Sequence, residues 1–383
     1  MIKVIVISSV TPEPTSAGNM ILYRHLTYSD SFWIHVISHL YPPVSINISS
    51  RIVKRLQKTR FAKIGNDLEV IYCGSSWKKI LSSNFPYSKH LDKKRTVVLT
   101  VAHGDACWAA QHFAQQYHLP LVTFFHDWWP DIPTLHKPFR NLLENRFFDL
   151  YICSDLALCV SCGMKDTLGA HPNSQVIYPI PALLEVQKPH QNRLSEHTEF
   201  KVVYSGNLYD YGSMLGSLLE TCKDNSDIFL QVRGANPNWS TEFATEMRDR
   251  NLWLDFAPRE ELNEWLASAD AFLVVMSFDL HLRRRMETSF PSKLVEYAQF
   301  GKPLVIWGPE YCSAVQWARK GDRSLVITNE NPKAFVSALE TLKSSPQLQE
   351  YYSQQARVAA QTEFSPISLQ SQFLKQVQAL IEK

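Results

Sequence analysis

No apolar run in this 383-residue chain reaches the roughly 18 to 20 residues that cross a bilayer, which excludes a simple spanning helix. The opening Met1-Ile-Lys-Val-Ile-Val-Ile-Ser-Ser-Val10 is apolar but lacks a basic leader and a small-residue cleavage site, so it reads as a first strand and not as a signal peptide. Seven cysteines are an odd number in a long chain, which argues against a disulfide framework and for reduced thiols in the cytoplasm. Cys159-Val-Ser-Cys162 is a lone CxxC with no second pair or histidine cluster beside it, and buried thiols account for it better than zinc. A net charge of +2 is too small for a nucleic-acid partner. Short repeats and low-complexity tracts are absent. Asp-x-Asp occurs nowhere, so no metal and no other cofactor is expected.

What is present is a soluble α/β pattern, 45% hydrophobic and 20% charged, long enough for two domains. Charge is uneven along it: residues 1–190 hold 19 Lys and Arg against 13 Asp and Glu, and the remainder 20 against 24, about +6 and −4. Continuous apolar, β-branched runs at 2–7, 96–101, 121–125 and 150–153 read as parallel strands covered on both faces, with a helix over 106–117. A polar stretch at 187–200 marks the domain boundary. Strands then resume at 201–205, 228–233, 252–256, 271–275, 304–307 and 324–328, with helices over 260–267, 292–300 and 332–342 and a helical end from 348 broken at Ser365-Pro366. Two successive arrays of this kind predict two Rossmann-like doubly wound domains facing a central cleft, with ligands beyond the carboxyl ends of the strands.

The segment richest in chemistry is Phe290-Pro-Ser-Lys-Leu-Val-Glu-Tyr-Ala-Gln-Phe-Gly-Lys-Pro-Leu-Val-Ile306. Pro291 suits a first helical turn, where its missing N–H is no loss. The amides of Ser292 and Lys293 then face outward at the positive end of the helix, where an anion is favoured, and Lys293 adds a charge. Glu296, one turn on, is placed to accept hydrogen bonds from a ribose. Read from spacing alone, a capped helix with a Lys293–Glu296 surface pair explains the segment equally well. Arg283-Arg284-Arg285 precedes it, and the plain reading of that triplet is a solvated loop.

This segment resembles the nucleotide-binding signature of glycosyltransferase family 4 in its Pro-Ser-Lys form. The resemblance implies a GT-B fold and a retaining, metal-independent transfer of a sugar from a nucleotide diphosphate. The family's second glutamate matches Glu296; its first falls at Thr288, with Glu287 one residue out of register. Ser205-Gly206-Asn207-Leu208 resembles the family's Gly-Arg-Leu, with Asn207 in the arginine's place and Tyr211-Gly212 near the position of its lysine. Arg284, Arg285 and Lys293 are the candidates for the missing positive charge. Gly206 lets backbone approach the donor. Phe256-Ala-Pro-Arg-Glu-Glu-Leu262 resembles the border of the base site, with Phe256 and Arg259 as donor contacts.

The acceptor side is expected in the first domain. A loop over 8–18 is longer than ordinary βα turns, and its Gly18 matches a glycine that leaves room for the donor. Phe124-Phe-His-Asp-Trp-Trp-Pro130 ends a strand: His126 matches the histidine that approaches the transferred sugar, Asp127 orients it or caps the next turn, and Trp128 lines the acceptor site or packs. His103-Gly104-Asp105 ends the preceding strand, with His103 toward the acceptor and Asp105 as a helix cap. Residues 51–63 carry six basic side chains and no acid, interleaved with Ile52, Val53 and Leu56. This reads as a basic amphipathic helix, either a membrane-surface element or a solvated face.

The expectation is therefore a cytoplasmic glycosyltransferase, peripheral at the membrane's inner face if 51–63 binds it, whose partners are a nucleotide-sugar donor and a saccharide or lipid-linked acceptor in polysaccharide or glycolipid assembly. Its acceptor domain spans 1–190, its donor domain 200–362, and a final helix, 363–383, crosses back to the first. A sugar-nucleotide epimerase on the same scaffold and a non-catalytic nucleotide-sugar-binding protein are the alternatives.

Overall fold

The computed structural model describes residues 1–15, 17–37, 48–72, 92–182, 199–208, 210–235 and 237–382. Of the polar stretch at 187–200, only Glu199 and Phe200 are among them. The chain forms two compact units. Unit 1 comprises Met1–Ile180, Thr288–Phe290 and Ile367–Lys383; unit 2 comprises Pro181–Glu287 and Pro291–Pro366. No helix among the described residues is long and apolar enough to cross a membrane.

Unit 1 is built on the strands β1 (Ile2–Val6), β2 (Phe32–Val36), β3 (Thr96–Val101), β4 (Leu121–Phe125), β5 (Leu156–Cys159) and β6 (Ser174–Val176). They lie parallel in the order β2-β1-β3-β4-β5-β6. Its helices are α1 (Ala17–Thr27), α2 (Ile48–Gln57), α3 (Ala62–Tyr72), α4 (Ala106–Tyr117), α5 (Lys137–Ile152) and α6 (Cys162–Leu168). The continuous apolar strands follow from burial on both faces. Ile5, Ile7 and Val98 pack with α4 and α5, while Val4, Val6, Val97 and Leu99 pack with Leu22 and Leu26 of α1.

Unit 2 repeats the plan with β7 (Phe200–Ser205), β8 (Ile228–Arg233), β9 (Trp253–Leu254), β10 (Ala271–Val275), β11 (Leu304–Trp307) and β12 (Leu325–Ile327), in the order β12-β11-β10-β7-β8-β9. Its helices are α7 (Gly212–Cys222), α8 (Thr241–Asp249), α9 (Arg259–Ala267), α10 (Arg283–Thr288), α11 (Ser292–Ala298), α12 (Ser313–Arg319), α13 (Pro332–Ser344) and α14 (Pro346–Gln361). In each sheet the strand order reverses once, between β1 and β3 in unit 1 and between β7 and β10 in unit 2. Loops diverge at such points and leave a crevice at the carboxyl ends.

The last helix, α15 (Pro366–Ile381), starts at the proline that ends the preceding helical run and packs within unit 1. Leu369, Phe373 and Val377 join the cluster of β1 and β3, Gln370 bonds Ser29 (3.1 Å) and Gln372 bonds the Val176 carbonyl (3.0 Å).

Three readings of the sequence are corrected. Residues 150–153 are not a strand but the last turn of α5, with Leu150 and Tyr151 buried against the sheet; the strand lies at β5. A four-residue apolar run cannot separate a buried helix face from a strand. The strand at 252–256 shrinks to β9, leaving Phe256 68% exposed. Residues 51–63 are not one helix: α2 ends at Gln57, the Phe61 amide bonds Thr59 Oγ1 (3.1 Å), and α3 starts at Ala62. Gly65 permits the tight crossing of the two helices, since a Cβ there would stand 2.9 Å from the Gln57 nitrogen. Val53 turns inward, while Ile52, Phe61 and Ile64 remain exposed.

The docking of α15 yields a stability prediction. Phe373 is fully buried between Phe32, Phe124 and His25. Phe373→Ala is expected to destabilise unit 1 by about 3–5 kcal/mol, read as a drop in the unit's denaturation midpoint by calorimetry, while Ile367→Ala at the exposed start of α15 changes little.

Candidate functional site

In unit 2, β7 delivers Ser205-Gly206-Asn207 to the carboxyl end of the sheet at the reversal point. Gly206 has φ +140°, and a Cβ there would lie 2.1 Å from Cε and 2.5 Å from Nζ of Lys293. A side chain at 206 would push the end of Lys293 out of its place, and the positive φ itself favours glycine there. The helix that carries Lys293, α11, is fixed one turn later by Tyr297. That ring stacks on Phe272 with centroids 4.7 Å apart, and its hydroxyl accepts from the Ser205 amide (2.8 Å) and donates to the Ser205 carbonyl (3.3 Å). The Lys293 residue is partly exposed, but its ammonium is drawn inward, 5.1 Å from the centre of the Tyr204 ring. Burial lowers its pKa to about 8, against the opposing pull of Asp210.

Asp210 also collects two other groups. Its Oδ2 accepts from Asn207 Nδ2 (2.9 Å) and pairs with Arg285 Nη2 (3.2 Å). The arginine triplet is the start of α10 and not a loop, and the helix sorts its members. Arg283 pairs with Glu287 (2.7 Å) and covers the Tyr311 ring, Arg284 is exposed, and Arg285 turns to Asp210. Among the described residues, Arg285 is the member of the triplet paired with Asp210. Thr288 is fully buried, and Glu287, held by Arg283, does not replace the missing carboxylate. Glu296 faces the amide of Ala182, with its two oxygens 3.3 and 3.2 Å from that nitrogen. The first backbone bond of α11 runs from Leu294 N to the Pro291 carbonyl (3.0 Å), and the Ser292 and Lys293 amides have no acceptor among the described residues. Phe256 and Arg259 lie exposed on the loop after β9 and the start of α9; no hydrogen bond or ion pair among the described residues ties them to Lys293.

The sequence reading passed over Asp210, Tyr204, Tyr297 and Arg233. Arg233 ends β8 beside Gly206, whose amide bonds its carbonyl (2.8 Å); its side chain is buried, paired with Glu261 (2.8 Å) and stacked over Trp265. A charged last residue on a largely apolar strand was the available signal.

In unit 1, His126 follows directly on β4 and is half-buried. Its Nε2 is buried with no hydrogen-bond partner among the described residues. Burial lowers its pKa to about 4, Asp127 pulling it up and His103 pushing it further down. His25 on α1, which is fully buried, is lowered to about 3, by burial first and then by His126, although its Nε2 meets the Tyr178 carbonyl (3.2 Å). His103, at the end of β3, is lowered by burial against the pull of Asp127. Asp127 accepts a hydrogen bond from Ser289 (2.9 Å), which unit 1 takes in with Thr288 and Phe290. The structure therefore gathers His126, Asp127 and His103. Trp128 is corrected: 2% exposed and packed edge-on to Phe147 and Phe148, it belongs to the core, and Trp129 is the ring beside His103, 5.8 Å between centroids. Asp105 stands at the start of α4 without a side-chain capping bond. Gly18 lies in the first turn of α1, where a Cβ would meet only Val10 at an ordinary 3.8 Å, so protein packing does not require glycine there.

Unit 2 therefore presents cations and outward amides suited to an anion, and unit 1 presents neutral imidazoles and a carboxylate suited to hydroxyl groups. No three His, Cys, Asp or Glu side chains gather as a metal site among the described residues. Cys159 is buried with its thiol pushed up to about 12.

The fold has solved counterparts. Sucrose-phosphate synthase from Thermosynechococcus elongatus superposes with a TM-score of 0.65 at 12% identity, over 97% of each chain. HepE from Anabaena, in complex with UDP-glucose, gives 0.63 at 12% identity over 99% of this chain and 100% of that one. The UDP-forming α,α-trehalose-phosphate synthase from Burkholderia xenovorans, in complex with glucose-6-phosphate, gives 0.59 at 10% identity over 98% and 100%. At such identities the likeness is one of fold. No curated protein matches in sequence. Two doubly wound parallel units of this kind define the GT-B class. Residues 186–359, most of unit 2, match the family of glycosyl transferases group 1, and the chain is a glycosyltransferase.

The buried histidines carry an acid-stability prediction. Their folded pKa values, about 3 and about 4, lie below the ordinary 6.5, so the unfolded chain binds more protons between those values. Stability is then lost as pH falls from about 6.5 toward 4. His126→Asn is expected to flatten that slope in denaturation curves recorded across the range; an unchanged slope would contradict the neutral buried imidazole.

Proposed function

We propose that the chain transfers a sugar from a nucleoside diphosphate sugar to a saccharide or lipid-linked acceptor, with retention of configuration and without a metal ion. The observation that carries this reading is the Lys293 ammonium lying against Gly206 at the start of α11, with Arg285 brought to the same turn by Asp210. Breaking a sugar–phosphate bond builds negative charge on the leaving diphosphate, and preorganised positive charge must meet it. Lys293 and Arg285 take that role together with the Ser292 and Lys293 amides, and Asn207 supplies a neutral donor. Glu296 is assigned to the ribose, Phe256 and Arg259 to the base, and Gly18 and Gly206 to clearance around the phosphates. His126, neutral and with its Nε2 unpartnered among the described residues, is assigned to a hydroxyl of the transferred sugar; His103 and Asp127 are assigned to the acceptor.

Retention follows the family resemblance: the departing phosphate takes the acceptor's proton on the face it leaves. HepE solved with UDP-glucose and a UDP-forming synthase among the structural counterparts make uridine the first base to try. The glucose-6-phosphate held by the trehalose-phosphate synthase supports a sugar acceptor. For a lipid-linked acceptor the supporting feature is the hairpin of α2 and α3. There exposed Ile52, Phe61 and Ile64 stand among Lys54, Arg55, Lys58, Arg60 and Lys63, a combination suited to an anionic membrane surface.

Two measurements test the reading. Purified protein incubated with UDP-sugars and candidate acceptors is expected to release UDP only when acceptor is present, and Lys293→Ala to lower kcat/KM by about 100-fold or more. Transfer that persists in Lys293→Ala, Arg284→Ala and Arg285→Ala alike would rule out this account of the leaving group. In vesicle flotation, the wild type is expected to rise with anionic but not neutral vesicles, and Lys54→Glu with Arg55→Glu to abolish it.

A further inference from the structure

One acidic side chain stands in the turn just assigned to a dianionic ligand. A carboxylate beside a diphosphate repels it unless its own charge is already engaged. Asp210 is three-quarters buried and engaged on two sides, by the Asn207 amide and by the Arg285 guanidinium. The backbone of Asn207 is fixed in turn, its carbonyl accepting from the Tyr204 hydroxyl (2.9 Å). The Tyr204 ring carries the Lys293 ammonium, and Asp210 is the anion that acts on that ammonium. Four segments thus meet around one carboxylate: the end of β7, the turn after it, α10 and α11.

Among the described residues, the other titratable or charged groups around this point are engaged differently. Tyr204 and Tyr297 are buried phenols whose pKa values are raised, so they stay neutral. Tyr211 is a phenol on the same turn. Glu296 faces the Ala182 amide from the same helix as Lys293, while Arg283 and Arg284 lie exposed on α10.

We infer that Asp210 is the positioning residue of the diphosphate site: it holds Arg285 and Asn207 at the turn against which Lys293 lies, without itself touching the donor. The inference rests on the function proposed above. Remove the carboxylate and two things follow: Arg285, a long and partly exposed side chain, loses the ion pair that draws it to this turn, and the Lys293 ammonium loses a counter-charge and sheds its proton at lower pH.

The test is calorimetric titration of UDP, ADP and GDP into wild type, Asp210→Asn and Asp210→Glu at pH 6.5 and pH 8.5, with the thermal midpoint of each variant recorded. The expected result is about tenfold weaker binding of the favoured diphosphate by Asp210→Asn at pH 6.5, a gap that widens at pH 8.5, and near-complete recovery in Asp210→Glu. Binding by Asp210→Asn that equals or exceeds that of wild type at both pH values makes Asp210 a plain source of repulsion and overturns the inference. A loss that is the same at both pH values, tracks a fall in thermal midpoint and is not restored by glutamate makes the role structural and overturns it too. Should Asp210→Asn not fold, Asp210→Ser under the same titration is held to the same outcomes, and if neither variant folds the role is structural. A wild type that binds no nucleoside diphosphate overturns the functional reading and this inference with it; a wild type that binds and turns over beside an unimpaired Asp210→Asn overturns this inference alone.

Discussion

A lysine side chain and a strand-ending glycine share one volume in unit 2, and much of the candidate site there follows from that contact. Lys293 reaches the end of β7 because Tyr297, one turn along the same helix, is stacked on Phe272 and bonded to Ser205. With the helix so fixed, the ammonium has room only if residue 206 carries no Cβ. The neighbouring strand is under the same pressure: a Cβ on Gly234 would stand 2.1 Å from the Gly206 carbonyl oxygen. Two adjacent strand ends are thereby stripped of side chains at the point where the strand order reverses, and the cleared space is edged by cations.

Unit 1 presents neutral rings where unit 2 presents cations. Asp127 acts on both His103 and His126 and favours their charged forms, yet burial outweighs it and the rings are held neutral. A buried ring nitrogen left without a partner costs on the order of 1–3 kcal/mol, which an apolar side chain of the same shape would avoid. Retaining such a group at a strand's carboxyl end is understandable when a ligand hydroxyl completes the bond. The Lys293 group suits an anion, and the His126 group, taken by itself, suits a hydroxyl.

Much of the fold was legible because parallel strands covered on both faces must be continuously apolar. β3, β4, β10 and β11 appear in the sequence as unbroken runs and in the structure as strands of the same extent. Legibility failed where burial comes from another source. The run at 150–153 is apolar because the last turn of α5 lies on the sheet, and no local period distinguishes the two cases. β2 is an edge strand with partly exposed residues, so it lacks the continuous run and went unread. Trp128 and Trp129 are adjacent and chemically identical, and only the packing of Phe147 and Phe148 assigns the first to the core.

By itself the sequence determined the two α/β arrays, the Pro291-Ser292-Lys293 helix start and the histidine at the end of β4, because each depends on neighbours close along the chain: a strand's run of apolar residues, a proline at a first turn, a polar residue after an apolar run. Tertiary structure alone decided that Lys293 fills the space above Gly206, 87 positions earlier in the numbering, that among the described residues Arg285 is the member of the triplet paired with Asp210, and that the basic stretch at 51–63 folds back on itself. Those outcomes depend on which faces of separate elements meet. A helix of 3.6 residues per turn points consecutive arginines in different directions, and the direction acquires a meaning only when another segment is packed in front of it.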